Sequence, residues 1–249
     1  MTERVEAQSV GAAASVPGLR VMTAGSSAAL VEPADARGVV ELYLRLRATA
    51  PRAVTDLVPA ATTVLVAFDP RELARASVVE WVTRTAERAA LTDRLAGPDT
   101  GAGKDADAGT DASAGTVPED GRTAIVELPV RYDGPDLAVV AELSGASVDD
   151  VIAAHLDQLW TAAFIGFAPG FAYLTGEDDR LTVPRRATPR AAVPAGSVAL
   201  AAGYCGVYPR ESPGGWHLIG RTAAVLWDAQ RADPALLAPG TRVRFVRER

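Results

Sequence analysis

The chain has 249 residues, 48% of them hydrophobic and 22% charged, with a formal net charge of −6. That size accommodates one large or two modest domains, and no apolar run reaches the roughly 18 residues that a membrane-spanning helix requires. Basic residues are not clustered as a nucleic-acid footprint demands, and the lone Cys205 excludes an internal disulfide and a cysteine-rich metal site while fitting a reducing, cytoplasmic compartment.

Residues 1–17 lack the basic and apolar regions of a signal peptide and read as a flexible tail. Strand patterns follow at 19–23 and 28–31 around a Gly25-Ser26-Ser27 turn. Asp35 then opens an amphipathic helix carrying Val39, Val40, Leu42, Tyr43 and Leu46. Runs at 53–58 and 62–68 read as strands, each closed by a proline (Pro59, Pro70), and 77–95 reads as a second helix. Residues 18–95 are therefore expected to form a small α+β domain, with two helices on one face of a sheet. It has no histidine, no cysteine and no glycine-rich phosphate loop.

Residues 96–121 are almost wholly Ala, Gly, Asp, Thr, Ser and Pro, and carry six acids against Lys104, the single lysine of the chain. Such a composition buries too little apolar surface to offset its ordering entropy, so a disordered linker is expected. Gly101-Ala102-Gly103-Lys104 within it is not a nucleotide loop, because Pro98 and Asp105 stand where glycine and Ser/Thr are needed.

The remaining segment, 122–249, begins with an alternating strand at 124–132 and a helix from Asp136. Ser147 is a good N-cap, with Asp149 and Asp150 in the first turn of the helix that carries Val151, Ile152 and His155. Strand patterns then take over at 160–167, 198–201, 216–219, 223–227 and 242–246, the last behind a Pro239-Gly240 turn. Many short strands separated by glycine and proline point to a mainly-β domain closed, or nearly closed, into a barrel.

Between Gly166 and Arg221 lie nine of the 22 glycines and six of the 17 prolines, interleaved with aromatics and arginines. That pattern suits shaped loops around a site. Pro213-Gly214-Gly215-Trp216 either orients successive N–H groups towards an anion beside an indole wall, or is a glycine-rich hairpin with a core tryptophan. Arg185, Arg190, Arg210 and Arg221 flank the same loops, where a guanidinium matches carboxylate or phosphate, although any one of them also fits a solvated face. His155 sits beside the apolar stripe of its helix, so a hydrogen-bonded core histidine is the default and a ligand-binding or catalytic role the alternative. His217 should point away from Trp216. Gly196-Ser197 lacks the second glycine of a nucleophile elbow, so Ser197 offers a hydroxyl and an N–H to a ligand rather than a nucleophile.

Three ordered segments, GFAPGFAYL at 166–174, VPRRATPRAAVPAGSVAL at 183–200 and GVYPRESPGGWHLIGRT at 206–222, resemble the family of the B-type subunit of 5-oxoprolinase, also called KipI-like or allophanate hydrolase subunit 1. The similarity continues through 127–145, the helix of His155 and 238–246, and more weakly through the first unit. The resemblance implies a cyclophilin-like β-barrel in the C-terminal part and an α+β N-terminal domain. It also implies a polypeptide acting with a homologous C-type (KipA-like) subunit and an A-type (LamB/YcsF-like) subunit to convert 5-oxo-L-proline to L-glutamate. ATP, with Mg, would be bound at the level of the complex, and this chain would hold no metal.

The same resemblance places Phe171, Arg190, Pro194, Ser197, Tyr208, Ser212, Gly214, Gly215 and Trp216 around the barrel mouth, with His155 and Arg221 as further members, to bind a small anionic lactam or amide. No general base or nucleophile is assigned. Tyr204-Cys205 stands where the family commonly has Gln-Thr, which changes the donor inventory at that position. Two other functions stay open: inhibition of a sensor histidine kinase, and an allophanate hydrolase or carboxyltransferase-like role.

Overall fold

The computed structural model describes residues 17–35, 37–96 and 125–248. The tail expected at 1–17 and the linker expected at 96–121 lie, except for Pro17 and Ala96, outside the described residues. The chain divides into two compact units, with the main break between Arg122 and Thr123.

In the first unit, β1 (Arg20–Thr23), β2 (Ala28–Glu32), β3 (Val54–Pro59) and β4 (Val64–Phe68) form a sheet of order β1-β2-β4-β3, accompanied by α1 (Gly38–Thr49) and α2 (Arg75–Ala96). Alternate residues of β2 and β4, among them Val31, Val64 and Val66, turn to one face as the strand period requires. There they meet Val39, Leu42 and Leu46 of α1 and Val78 and Val82 of α2 in one apolar core. Asp35 does not begin α1. Its carboxylate accepts the Arg37 N–H and its carbonyl accepts the Gly38 N–H, both at 3.0 Å, so the side chain is spent on a turn and the helix starts at Gly38.

The second unit runs β5 (Ile125–Val130), α3 (Leu137–Ser144), α4 (Val148–Asp157), β6 (Trp160–Ile165), β7 (Ala172–Thr175), β8 (Arg190–Val193), β9 (Ser197–Ala201), β10 (Tyr204–Val207), β11 (Ser212–Gly214), β12 (His217–Arg221) and β13 (Arg242–Arg247). Seven strands form one sheet of order β12-β9-β10-β7-β6-β13-β5, and β8 with β11 forms a separate two-stranded ribbon. β13 pairs parallel with β5 and antiparallel with β6. The two edges of the sheet meet where Arg131, just past β5, and Arg221, at the end of β12, exchange N–H···O bonds of 2.9 Å in both directions. The result is a nearly closed barrel within a mixed α/β chain.

Buried faces of α3 and α4, with Val140, Ala141, Val151 and Ile152, pack against Leu128, Leu174, Leu200, Val243 and Phe245 of the strands. The start of α4 is as its sequence predicts. Ser147 Oγ accepts the Asp150 N–H, and the Asp150 carboxylate accepts the Ser147 N–H, each at 3.1 Å. These bonds hold the exposed Asp150 carboxyl below its ordinary range.

Two strand expectations change. The segment 223–227 forms no ladder and contributes only a bridge between Trp227 and Ala235. β12 already uses its outer edge to close on Arg131, which leaves the following residues no strand to join. The Gly/Pro-rich stretches that carried no strand pattern hold β7, β8, β10 and β11, each of three or four residues, too short to reveal alternation.

Candidate functional site

Alternation along β10 separates two environments. Cys205 and Val207 enter the core beneath the helices, whereas Tyr204 and Tyr208 belong to an aromatic cluster on the other face. β9 repeats the split, with Val198 and Leu200 on the core side and Ala199 and Ala201 on the aromatic side. Phe171 lies edge-on to Tyr208 at 5.2 Å and to Trp216 at 5.5 Å between ring centroids, and Tyr173, Tyr204 and Phe164 extend the network. Small residues make room for these rings. A Cβ on Gly206 would stand 2.9 Å from Phe171 Cζ and 3.1 Å from Trp216 Cζ3. Phe171, Tyr208 and Trp216 thus bury one another rather than standing around an open cleft.

The polar edge of this cluster is organised by Asp136. Its Oδ1 accepts from Arg186 Nη1 and Arg190 Nη2, both at 2.8 Å, and its Oδ2 accepts the Leu218 N–H at 2.7 Å. Burial acts to raise this carboxyl, but the Arg190 and Leu218 hydrogen bonds and the two guanidinium charges outweigh it and hold the group below its ordinary range. Arg186 Nε and Arg190 Nη1 are buried without an acceptor. Gly214 pairs with Arg190 across the β8–β11 ribbon, and a Cβ on Gly214 would collide with the Tyr208 hydroxyl, so that hydroxyl lies beside the arginine strand. Burial raises the Tyr208 phenol, opposed in part by Arg185 and Arg190, so it stays protonated and available as a donor. Gly214→Ala is expected to cost about 1–3 kcal/mol through overpacking against Tyr208, measured by urea denaturation.

The predicted residues fall into three groups. Phe171, Tyr208 and Trp216 lie together in the aromatic cluster, and Arg190 and Gly214 lie along its polar edge. Ser197 is buried on β9, with its N–H on the Pro194 carbonyl at 3.3 Å, and Gly215 accepts the Arg186 N–H at 2.9 Å. Ser212 pairs with Val193 in the ribbon. Gly214 is thus a ladder residue and Trp216 a core residue, which is the hairpin form of Pro213-Gly214-Gly215-Trp216. Arg221 is engaged by Asp133 at 2.7 Å at the barrel closure and takes no part in the Asp136 clamp. His217 Nε2 lies 3.1 Å from the Pro184 carbonyl oxygen.

His155 is separate from all of these. It is fully buried in the core, with Nδ1 2.8 Å from Tyr132 Oη and Nε2 3.3 Å from Cys205 Sγ. A neutral imidazole satisfies one partner as donor and the other as acceptor. Burial drives the His155 pKa down to about 3, and pushes the Tyr132 phenol and the Cys205 thiol well up, so all three side chains are neutral.

Three residues that sequence reasoning did not single out matter here: Asp136, Arg186 and Phe167. Phe167 has φ 65° and is 58% exposed, and the Ala168 N–H donates to the Gly166 carbonyl at 2.7 Å, which makes it the centre of a positive-φ γ-turn. Its ring lies edge-on to Phe171 at 5.4 Å and to Tyr208 at 6.3 Å, above the cluster. Because both small replacements lose the ring but only alanine keeps a Cβ at positive φ, Phe167→Gly should be more stable than Phe167→Ala by about 1 kcal/mol in urea denaturation.

A groove of about 460 Å³ lies in the first unit, lined by Arg45, Trp81, Arg84 and Arg88 among others. It contains none of the predicted residues, and every buried polar side-chain atom found without a partner among the described residues belongs to the second unit. The polar edge around Asp136 is therefore the better candidate.

The profile of the carboxyltransferase domain, subdomain C and D, matches residues 19–237. The chain belongs to this carboxyltransferase domain family. Within the family, the B-type subunit of 5-oxoprolinase from Escherichia coli O157:H7 is 49% identical over 124 residues, covering 49% of this chain and 57% of that protein. Its counterpart from Bacillus subtilis (strain 168) is 45% identical over 126 residues, covering 49% of this chain and 52% of its own length. The chain thus aligns with little more than half the length of these curated relatives. The solved structure of TTHA0988 superposes with a TM-score of 0.65 at 30% identity, over 90% of this chain and 40% of the other. Among the described residues no helix is long and apolar enough to cross a membrane, and no group of three or more His, Cys, Asp or Glu is placed to hold a metal ion.

Proposed function

We propose that this chain is one component of an ATP-dependent 5-oxoprolinase that converts 5-oxo-L-proline to L-glutamate. It would act with a homologous C-type subunit and an A-type subunit in the cytoplasm, and be inactive alone. The observation that carries the reading is the 49% and 45% identity to two proteins that bear the name of the B-type subunit of 5-oxoprolinase. The named relatives do not favour the kinase-inhibitor or allophanate hydrolase alternatives. In this reading 18–95 is the α+β domain and 122–249 a cyclophilin-like barrel whose Asp136 edge receives the substrate.

The chemistry accounts for the use of ATP, because a lactam carbonyl is a poor electrophile and a phosphorylated lactam oxygen makes its carbon a good one. ATP and Mg belong to the complex. This chain's part is to bind and orient the lactam, with Arg190, Arg186 and the Tyr208 hydroxyl supplying positioned donors at little reorganisation cost. The test is ATP-dependent glutamate formation by the three copurified polypeptides, with each omitted in turn. Loss of turnover without this chain is the expected result, and undiminished turnover without it discards the reading.

A further inference from the structure

The Asp136 edge has more positive charge than its one carboxylate can balance. Arg186 and Arg190 both end on Asp136 Oδ1, their side chains are only 28% and 23% exposed, and each keeps a buried nitrogen with no acceptor. Arg185, close enough to act on the Tyr208 phenol, forms no ion pair among the described residues. The groups at this edge are donors: two guanidiniums in a fixed fork geometry and a protonated phenol beside Gly214. Asp136, the acceptor present, is already filled by three donors.

A neutral amide brings its own N–H groups and would leave them without acceptors there. A carboxylate brings only acceptors, about four lone-pair sites, and matches a guanidinium bidentately. Two arginines against one aspartate leave one formal positive charge, which suits a monoanion better than a phosphate dianion. We propose that Arg186, Arg190 and Tyr208, held ready by Asp136, form the seat for the single carboxylate of a small ligand. The choice of 5-oxo-L-proline as that ligand rests on the 5-oxoprolinase reading, whereas the carboxylate class rests on the side chains alone. Asp136 is a positioning residue here. It fixes both guanidiniums, so that binding the carboxylate requires no further ordering of two long side chains.

The full-length chain is titrated calorimetrically with 5-oxo-L-proline, with 2-pyrrolidinone, which is the same ring without its carboxylate, with acetate and with inorganic phosphate. The expected result is binding of 5-oxo-L-proline at least about 10-fold tighter than 2-pyrrolidinone. Acetate should compete and phosphate should not. Arg190→Gln should remove about 10-fold of the 5-oxo-L-proline affinity while leaving that for 2-pyrrolidinone unchanged, and Arg190→Lys should restore only part of it. Equal affinity for the two lactams in the wild-type chain overturns the seat without recourse to any variant. So does an unaltered preference in Arg190→Gln, tighter binding of phosphate than of acetate, or no binding of either carboxylate. If acetate binds through Arg190 and 5-oxo-L-proline does not, the seat stands and the 5-oxoprolinase reading fails. If omitting this chain abolishes glutamate formation while Arg190→Gln binds 5-oxo-L-proline normally, the reading stands and the seat fails.

Discussion

Mild acid should destabilise the second unit well above the range in which carboxylates titrate, because His155 is buried and neutral. Its pKa falls from 6.5 to about 3 on folding, with burial as the cause. Protons therefore bind the unfolded chain more readily than the folded one. The contribution is intact above the unfolded value and is lost as pH drops from about 6.5 towards 3. At about 1.4 kcal/mol per unit, the full loss is on the order of 4 to 5 kcal/mol, with about 2.5 kcal/mol already gone by pH 4.5. Urea denaturation of the wild type across this range gives the slope directly. His155→Gln, which does not titrate, should start less stable at neutral pH by about 1–3 kcal/mol, since the Tyr132 and Cys205 partners are disturbed. Its acid slope should be correspondingly shallower. A wild-type stability that stays level from pH 7 to 4.5 would refute the buried, neutral assignment.

Removing the Asp136 carboxylate should cost about 3 kcal/mol. Asp136→Asn leaves two quarter-exposed guanidiniums facing each other with no counter-charge and weakens the acceptor for the Leu218 N–H. The sign of the pH effect follows from its lowered pKa. The wild-type advantage is present above the unfolded carboxyl value of about 3.9 and disappears as pH falls through the lower folded value. Wild type and Asp136→Asn should therefore differ most at neutral pH and converge in strong acid, a window below that governed by His155. A gap that is the same at pH 7 and at pH 3 would show that charge is not what Asp136 contributes. Arg190→Met in the Asp136→Asn background should recover part of the loss, because it removes the unbalanced charge that the first substitution created.

What could be read from the sequence is what is local. The α1 stripe of Val39, Leu42 and Leu46 and the Ser147–Asp150 capping box depend on neighbours within a turn of helix, and both are present in the structure. His155 could be assigned to a buried stripe for the same reason. Its partners could not be named, because Tyr132 and Cys205 lie 23 and 50 residues away.

Asp136 is the instructive miss. Following Pro135 and preceding an apolar helix, it reads as an N-cap, and it does occupy that position at α3, yet its side chain makes no capping bond. The carboxylate instead turns to Arg186 and Arg190, 50 and 54 residues on, a choice that only the barrel's closure makes available. Phe167 was hidden differently. Nothing in Gly166-Phe167-Ala168 says which of the three residues takes the positive φ, and glycine is the natural candidate, yet the phenylalanine takes it.

Because β13 lies between β6 and β5, β5 has no other strand to pair with until residues from the far end of the sequence arrive, as in the register of Ile125 with Arg242. Contacts so distant along the chain close late and slowly. The bridge from Arg131 to Arg221 needs β5 in place, and Asp136 follows in the same segment, so the two arginines receive their counter-charge in one of the final folding steps. Until then the outer edge of β12 is an open strand carrying unneutralised guanidiniums nearby, the part of a nascent molecule most exposed to capture by a chaperone or by another unfinished copy of itself.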